Sequence, residues 1–267
     1  LREDEMQKIA RELSGFVNEV GYVRKVGDEF ILKFYSSECE VAFCGHAIIA
    51  IMYDVLNNNT FIAKEEVSIR VKAGKLSVFN QIHQDGAVYI MAPAPEFLKW
   101  DIGNSEISDI LGIKSSEIDR SMPVKLVDGG LRTLIVPLVS LSTCLQVYPD
   151  QDKLKSFCLS NDVDIVHVST HETYTANSAY RTRVFAPKYG YLEDPATGSG
   201  NAAFGYYLID QNLWIGDLTV EQGPDKKTPN FVKLKRYYKK DKTRMLFGGC
   251  GTIRIEGNYY LHDSKPA

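Results

Sequence analysis

Short blocks of alternating hydrophobic and polar residues predict a chain of strands interrupted by helices. Residues 29–35 alternate in polarity as a strand does and residues 180–185 are strand-like, whereas residues 46–56 and 202–213 are apolar on most sides and predict buried helices. Residues 3–16 predict an amphipathic helix. Further strands are predicted at residues 67–72, 76–79, 86–91, 124–127, 131–136, 145–148, 164–169, 218–222, 231–234, 245–247 and 251–256, with helical segments at 107–111, 117–120 and 153–161.

The two apolar helices belong to a pattern that occurs twice. In each copy a strand leads into an acidic loop, a turn of small residues and a buried helix, so that Gly45-His46-Ala47 aligns with Gly200-Asn201-Ala202 and Phe34 with Phe185. The repetition predicts a duplicated architecture. If the two helix N-termini face each other, an anionic substrate would lie between them.

A break in regular structure at Ala92-Pro-Ala-Pro95 is the best linker candidate. We therefore predict two lobes, residues 1–95 and 96–267, with the last strand of the chain returning to the first lobe. A length of 267 residues is ample for a hydrophobic core in such an arrangement.

Composition narrows the classes of function. A hydrophobic content of 44%, a charged content of 24% and a net charge of −3 are ordinary for a globular protein and predict neither a nucleic-acid partner nor a membrane partner. No apolar run reaches the length of a membrane span, and no signal peptide is visible. Five cysteines without the spacing of a zinc site or a disulfide framework predict no metal site and favour the cytoplasm.

The loop that precedes the second buried helix is the first candidate site. Its residues Thr197, Gly198, Ser199 and Gly200 let the backbone turn sharply and expose N–H groups at a helix N-terminus, where a carboxylate or phosphate can bind. Asp194 adds an acid beside this loop. The alternative is helix capping, in which Asp194 or Ser199 bonds the first N–H groups and the adjacent proline sets the direction of the chain.

Two further residues have chemistry suited to proton transfer. Glu19 lies where a helix gives way to a strand, and a carboxylate in partly apolar surroundings can act as an acid or a base near neutrality. A surface acid at a loop corner is the alternative. His46 begins the first buried helix and could hydrogen-bond a substrate or move a proton, or it could simply be a satisfied residue at a helix start.

Several segments together resemble the PhzF-like, or phenazine biosynthesis-like, protein family. Residues 181–201 are similar to the second signature of the family, and Glu40-Val-Ala-Phe-Cys-Gly-His-Ala47 is similar to the first. Residues 6–12 resemble the helix before the family's catalytic glutamate, and Glu221-Gln-Gly223 also fits. The resemblance extends over nearly the whole chain.

The resemblance implies a diaminopimelate-epimerase-like α+β fold with two similar lobes. Each lobe would wrap a mixed, barrel-like sheet around a central α-helix, with the active site between the lobes. It also implies a homodimeric isomerase that acts on a small anionic substrate without a cofactor.

The resemblance further assigns roles to single residues. Glu19 would be the catalytic acid and base, and His46 and Asp194 would assist it. Gly45 and the loop residues Thr197, Gly198, Ser199 and Gly200 would bind the substrate and stabilise the negative charge that develops.

The sequence departs from the family at two places. The family's opening strand and Gly-Asn-Pro turn have no counterpart here, so we expect either an incomplete sequence or a first lobe that is open on one side. Cys44 stands where the family usually has alanine. Cys44-Gly45-His46 is similar to the Cys-Gly-Asn of two-cysteine epimerases, but residues 193–201 contain no second cysteine.

Three hypotheses follow from these observations. The first is a PhzF-like isomerase that uses Glu19, which we favour. The second is an amino-acid racemase or epimerase that uses Cys44 with a non-cysteine partner. The third is a non-catalytic binding protein that retains the fold.

Overall fold

The computed structural model describes residues 1–58, 64–239 and 242–261. Its internal contacts divide the chain into two compact units, unit 1 with Leu1–Ile90 and the segment from Gly249 onward, and unit 2 with Met91–Gly248. In the described part of the chain, no helix combines the length and apolar character needed to cross a membrane.

Unit 1 is a mixed sheet with one long helix that is buried on one face. The prediction that residues 46–56 form a helix is confirmed, but its burial is partial, because Ile48, Met52 and Leu56 are buried whereas Ala50 and Asp54 are exposed. The strands of unit 1 follow the order β1-β2-β4-β5-β6, with β3 paired to β2; β2 and β4 are parallel and the other pairs antiparallel. The elements are α1 (Glu3–Glu12), β1 (Glu19–Val26), β2 (Glu29–Ser36), β3 (Glu40–Val41), α2 (Gly45–Asn57), β4 (Glu66–Val71), β5 (Gly74–Gln81), α3 (Ile82–Asp85) and β6 (Ala87–Met91).

Unit 2 has the same kind of mixed sheet with more helices. Its strands follow the order β15-β14-β13-β11-β10-β9-β8-β7, with β12 paired to β11. The elements are β7 (Glu96–Leu98), α4 (Asn104–Leu111), β8 (Lys125–Asp128), β9 (Arg132–Pro137), α5 (Leu141–Gln146), α6 (Gln151–Ser160), β10 (Ile165–Thr170), β11 (Tyr180–Phe185), β12 (Glu193–Asp194), α7 (Gly198–Asp210), β13 (Leu218–Gln222), β14 (Asn230–Lys239) and β15 (Lys242–Gly249).

The predicted repetition is present in the topology. The series β1-β2-β3-α2-β4-β5-β6 in unit 1 has the same pairings as β10-β11-β12-α7-β13-β14-β15 in unit 2, including one parallel pair directly after the helix. The strand register also aligns the two helices with each other more accurately than the sequence pattern did. Glu40 and Glu193 occupy matching places on β3 and β12, and each helix begins five residues later, at Gly45 and Gly198.

This register changes the alignment of the two turns. Gly45 corresponds to Gly198 rather than to Gly200, and His46 corresponds to Ser199. The difference arises because α7 begins at Gly198, four residues before the predicted start at residue 202. Glycine and serine have weak helix propensity, so the sequence pattern placed them in the loop, but burial of the whole turn makes them helical.

Helix α7 is enclosed by the sheet of unit 2. Every residue from Gly198 to Leu208 is buried, and the helix contacts β8, β9, β10 and β14. Its two tyrosines bury their rings and direct their hydroxyls to backbone carbonyls, Tyr206 to Pro93 and Tyr207 to Pro123, both at 2.9 Å. A helix that is apolar on most sides is stable only in such an interior position.

One predicted strand, at residues 145–148, is wrong. Helix α5 ends at Gln146, and the residues after it, 147–150, belong to neither a helix nor a strand. Ser140 caps the start of α5 by accepting a hydrogen bond from the Thr143 N–H at 3.1 Å. Nη1 of Arg183 donates to the carbonyls of residues 144 and 145 at 3.2 and 3.1 Å, and to that of residue 147. These carbonyls lie at a helix C-terminus, where intrahelical partners are lacking, so a distant arginine decides the local structure.

Three other predicted elements also differ from the structure. The predicted helix over residues 3–16 ends at Glu12, followed by a turn in which Gly15 has φ +93°. The segment at 117–120 is a 3₁₀ helix over Ser115–Glu117. Residues 251–256 form no strand, and Ile255 is 92% exposed. Alternation alone predicted a strand there, but a strand also needs a neighbour with which to pair.

The entry loop of α7 is attached to the sheet by one side-chain amide. Oε1 of Gln222 accepts from the Thr197 N–H at 2.9 Å and from Nδ2 of Asn201 at 2.7 Å. Nε2 of Gln222 donates to the carbonyl of Asp194 at 2.7 Å and to the hydroxyl of Thr197 at 3.0 Å. All hydrogen-bonding positions of this buried amide are therefore used, which holds the loop in one conformation.

A buried histidine continues this network. Nε2 of His167 lies 3.3 Å from Oδ1 of Asn201, and its ring stacks on Phe204 at a centroid distance of 4.8 Å. His167 is completely buried, and burial lowers its pKa to about 4. The imidazole is therefore neutral near pH 7, with Nε2 as the donor to Asn201.

We expect Gly198→Ala to destabilise the protein by about 1–3 kcal/mol through overpacking. A Cβ at position 198 would lie 2.2 Å from two ring atoms of Phe247, a buried side chain with little freedom to move. Gly205→Ala is the matched control, because its Cβ would meet the flexible end of Met245 at 2.7 Å. Urea denaturation of both variants measures the difference, and equal losses of stability would contradict the account.

We also expect the free energy of unfolding to decrease as the pH is lowered, because of His167. The unfolded histidine takes up a proton near pH 6.5 but the folded one only near pH 4, so acidification over this interval favours the unfolded state. The contribution is complete above pH 6.5 and amounts to about 3 kcal/mol. His167→Gln should flatten the dependence of the unfolding free energy on pH between 6.5 and 4, and His83→Gln, at an exposed position, should retain it.

Candidate active site

Unit 1 brings three chemically reactive side chains into one cluster. Glu19 is the first residue of β1, Cys44 is the N-cap of α2 and His46 is the second residue of that helix. Nε2 of His46 lies 3.1 Å from Oε2 of Glu19 and 3.5 Å from Sγ of Cys44. The predicted residues Glu19 and His46 are therefore in direct contact, although 27 positions separate them in the sequence.

Close packing between α2 and β1 makes this contact. Gly21 lies on β1 opposite the helix, and a Cβ there would lie 2.6 Å from Cδ1 of Ile51. The absence of a side chain lets the helix approach the strand, as is common where glycine occurs inside a strand. The ladder between β1 and β2, which pairs Glu19 with Ser36, sets the position of the carboxylate along the strand.

The solvent exposures of the Glu19 and His46 side chains are suited to proton transfer. The side chain of Glu19 is only 5% exposed, whereas that of His46 is 33% exposed. A carboxylate that is shielded from water but hydrogen-bonded to an accessible imidazole can pass a proton to a bound molecule. Beside this pair, the N–H groups of Gly45 and Ala47 at the start of α2 have no acceptor among the residues that the structure describes.

Cys44 differs from the other cysteines in its surroundings. All five are free thiols. Cys144 and Cys158 are buried, which raises the pKa of each thiol to about 12 and makes these two residues unreactive. Cys39 and Cys250 are exposed. Cys44 alone of the five is within reach of a described histidine, because its Sγ also lies 3.8 Å from Nδ1 of His46.

Unit 2 contains the second predicted set of residues. Oδ1 of Asp194 accepts from the Ala196 N–H at 3.2 Å, which holds the chain at the intervening proline. The N-cap of α7, Thr197, makes no side-chain capping bond, and the N–H groups of Gly198, Ser199 and Gly200 have no acceptor among the described residues. Because these N–H groups receive no side-chain acceptor, the capping alternative for Asp194 and Ser199 does not describe this helix start.

Two buried arginines fix the frame of this loop. Arg183 forms a bidentate pair with Glu193, with N–O distances of 2.9 and 2.8 Å, directly before Asp194. Arg181 and Glu221 are fully buried and pair at 3.1 Å. Glu193 precedes Asp194 and Glu221 precedes Gln222, so an ion pair adjoins each of the two segments that the Gln222 amide connects. Removing one partner of either pair would be costly, because it would leave the other charge buried and unpaired.

The carboxylate of Glu221 accepts several hydrogen bonds from neighbouring protein groups. Burial works to raise its pKa, but donors from Thr175, from the Tyr174 N–H and from Arg181 together lower it below the usual value. Glu221 is therefore a structural anion.

The sequence did not identify the supporting residues His167, Arg183 and Gln222. A signal was available in Arg181-Thr-Arg-Val-Phe185, where two arginines occupy alternate positions of a predicted strand. A buried arginine requires acidic or carbonyl partners. The identity of those partners depends on strand order, which local patterns do not contain.

Comparisons with known proteins agree with this architecture. The sequence profile of the PhzC-PhzF family, described as phenazine biosynthesis-like protein, matches residues 1–257. An uncharacterized isomerase of Bacillus subtilis is 30% identical over 234 residues, which cover 84% of this chain and 79% of that protein. The trans-2,3-dihydro-3-hydroxyanthranilate isomerase of Pseudomonas chlororaphis is 28% identical over 269 residues, covering 96% of this chain and 88% of that protein.

Solved structures show the same fold. A PhzF-family phenazine biosynthesis protein of Bacillus anthracis is similar with a TM-score of 0.84 at 24% identity, covering 94% of this chain and 86% of that one. A probable proline racemase of Agrobacterium radiobacter is similar with a TM-score of 0.63 at 15% identity, covering 97% and 82%. The predicted α+β fold of the diaminopimelate-epimerase-like class is confirmed. The chain belongs to the phenazine biosynthesis-like protein family and is an enzyme of the isomerase class.

Proposed function

We propose that this protein is a cofactor-independent isomerase that moves a proton on a small carboxylate-bearing substrate through Glu19. The contact between Glu19 and His46 is the observation that carries the proposal, because it couples a shielded carboxylate to an accessible imidazole at 3.1 Å. The position of Glu19 at the first residue of β1 also agrees with its place in the family resemblance.

The reaction consists of two proton transfers. Glu19 removes a proton from a carbon made acidic by a neighbouring carboxylate or conjugated system, and the electron pair of the C–H bond delocalises into that system. The protonated Glu19 then returns the proton at another carbon. No electron is lost or gained, so the product is an isomer of the substrate. His46 orients the carboxyl group and, before the proton is returned to carbon, exchanges the proton held by Glu19 with water, so that deuterium from D₂O can enter the product.

The developing negative charge needs donors. In unit 1, the N–H groups of Gly45 and Ala47 lie at the positive end of α2, beside His46. In unit 2, we propose that Asp194, Thr197, Gly198, Ser199 and Gly200 bind a substrate carboxylate and its polar substituents. Three backbone N–H groups at the start of α7, for which the described residues provide no acceptor, support this role.

The name of the Pseudomonas chlororaphis relative suggests a substrate class. That protein isomerises trans-2,3-dihydro-3-hydroxyanthranilate, a cyclic unsaturated amino acid. We propose an acid of this general kind for the present protein. The proposal retains the expectation of a homodimer, which the family resemblance implies, and that of a cytoplasmic location, which the cysteine content favours.

Racemisation or epimerisation of an amino acid through Cys44 is a second candidate. The observation in its favour is the 3.5 Å separation between the thiol and Nε2 of His46, which could remove the thiol proton. Against it, the register makes Thr197 the counterpart of Cys44 in unit 2, so the second cysteine of a two-base mechanism is absent at the matching position.

We expect Glu19→Gln to lower proton exchange by about 10²–10⁴-fold, because the amide cannot accept the proton. Cys44→Ala should stay within a few-fold of the wild type. The measurement is deuterium uptake by NMR in D₂O with a panel of amino acids and of cyclic, unsaturated amino or hydroxy acids.

The two variants separate the candidates. Uptake at an α-carbon that disappears in Cys44→Ala but survives in Glu19→Gln would contradict the proposal and establish the cysteine mechanism. Glu12→Gln, on the exposed end of α1, is the control for a change of carboxylate to amide elsewhere in unit 1. It should leave the exchange unchanged.

A further inference from the structure

The cluster around His46 has the composition of a transition-metal site. A carboxylate oxygen, an imidazole nitrogen and a thiol sulfur, from Glu19, His46 and Cys44, all lie within 4.8 Å of one another. This mixture of O, N and S donors is typical of ligands to Zn²⁺ and is unsuited to Mg²⁺ or Ca²⁺, which prefer oxygen. Local sequence patterns did not indicate this cluster, because only Cys44 and His46 are neighbours in the chain.

The distances agree with coordination of a single ion. Bonds of about 2.0–2.3 Å to a tetrahedral Zn²⁺ place neighbouring ligand atoms about 3.3–3.8 Å apart. Nε2 of His46 already lies 3.5 Å from Sγ of Cys44 and 3.1 Å from Oε2 of Glu19. The ligand atoms of Glu19 and Cys44, the third pair, lie no more than 4.8 Å apart.

Two rigid elements hold these ligands. Cys44 is the extended N-cap of α2 and His46 lies in its first turn, so one helix start supplies two donors, while Glu19 comes from β1. The imidazole is 33% exposed, which gives an ion a route to the site. Three protein ligands would leave the fourth position of a tetrahedral ion for water or a substrate carboxylate.

We propose that Glu19, Cys44 and His46 bind one Zn²⁺ ion, and that this ion inhibits the enzyme. A proton and the metal ion compete for the same lone pairs, since the hydrogen bond between Glu19 and His46 occupies the place where the ion binds. Binding of the ion displaces the thiol proton of Cys44 and any proton shared by the other two groups. The inhibitory part rests on the proposed function of Glu19, whereas the binding part does not.

Titration of the full chain with Co²⁺ tests the binding part without reference to catalysis. A cobalt–thiolate bond produces a charge-transfer absorption band that oxygen and nitrogen ligands do not, and Zn²⁺ should remove the band by displacement. We expect one Co²⁺ per chain in the wild type. Cys44→Ala should abolish the band, and Glu19→Gln and His46→Gln should weaken binding by at least about 100-fold, more than the loss of an outer-shell contact.

The two exposed thiols require a matched control. Cys39→Ala and Cys250→Ala remove the accessible cysteines and should keep the band and its stoichiometry. A wild type without the band, or a band that persists in Cys44→Ala, would overturn the proposed metal site.

Inhibition is tested in the deuterium-exchange assay. Zn²⁺ should suppress exchange by the wild type, a chelator should restore it, and Cys44→Ala should need at least about 100-fold more Zn²⁺ for the same effect. Equal sensitivity of the two proteins to Zn²⁺ would overturn the inhibitory part. Failure of the wild type to exchange any compound would instead refute the proposed function, and the cobalt result would still decide the metal site.

Discussion

Each unit of this protein depends on the burial of a helix against a mixed sheet. In unit 2 the enclosure is nearly complete, because all residues of α7 from Gly198 to Leu208 are buried. A helix in this position needs apolar or small residues on every side, and its first N–H groups lie where few protein acceptors can reach them. The same constraint that stabilises the core therefore leaves backbone donors for an anion.

The two units use this constraint for different chemistry. The helix start in unit 1 carries Cys44 and His46 and lies against a strand that begins with Glu19. The matching start in unit 2 carries Thr197 and Ser199, which neither bind metal ions strongly nor titrate near neutral pH. The two units share one architecture, but only the helix start of unit 1 carries titratable side chains at the cap and at the second helical position.

Buried polar networks in unit 2 serve to hold a loop rather than to react. Gln222 bonds to Asp194, Thr197 and Asn201 through one amide. The pair Arg183–Glu193 joins β12 to β11, and the pair Arg181–Glu221 joins β11 to β13, the strand that carries Gln222. Each of these groups is expensive to leave unpaired in the interior. Loop conformations that lose one of these bonds are therefore disfavoured, which keeps the N–H groups of α7 in place.

The sequence by itself determined the elements that have strong local patterns. Strands such as residues 180–185 and 218–222, the duplicated order, the family and the candidate residues Glu19, His46 and Asp194 could all be recognised from it, because alternation and turn residues are local properties. The start of α7, the helix at residues 141–146 and the absence of a strand at 251–256 were decided by tertiary structure. Burial, a distant arginine and the availability of a pairing partner depend on residues far away in the chain. The cluster of Glu19, Cys44 and His46 has the same origin, since the packing of α2 on β1 brings side chains from two distant segments within 4.8 Å of one another.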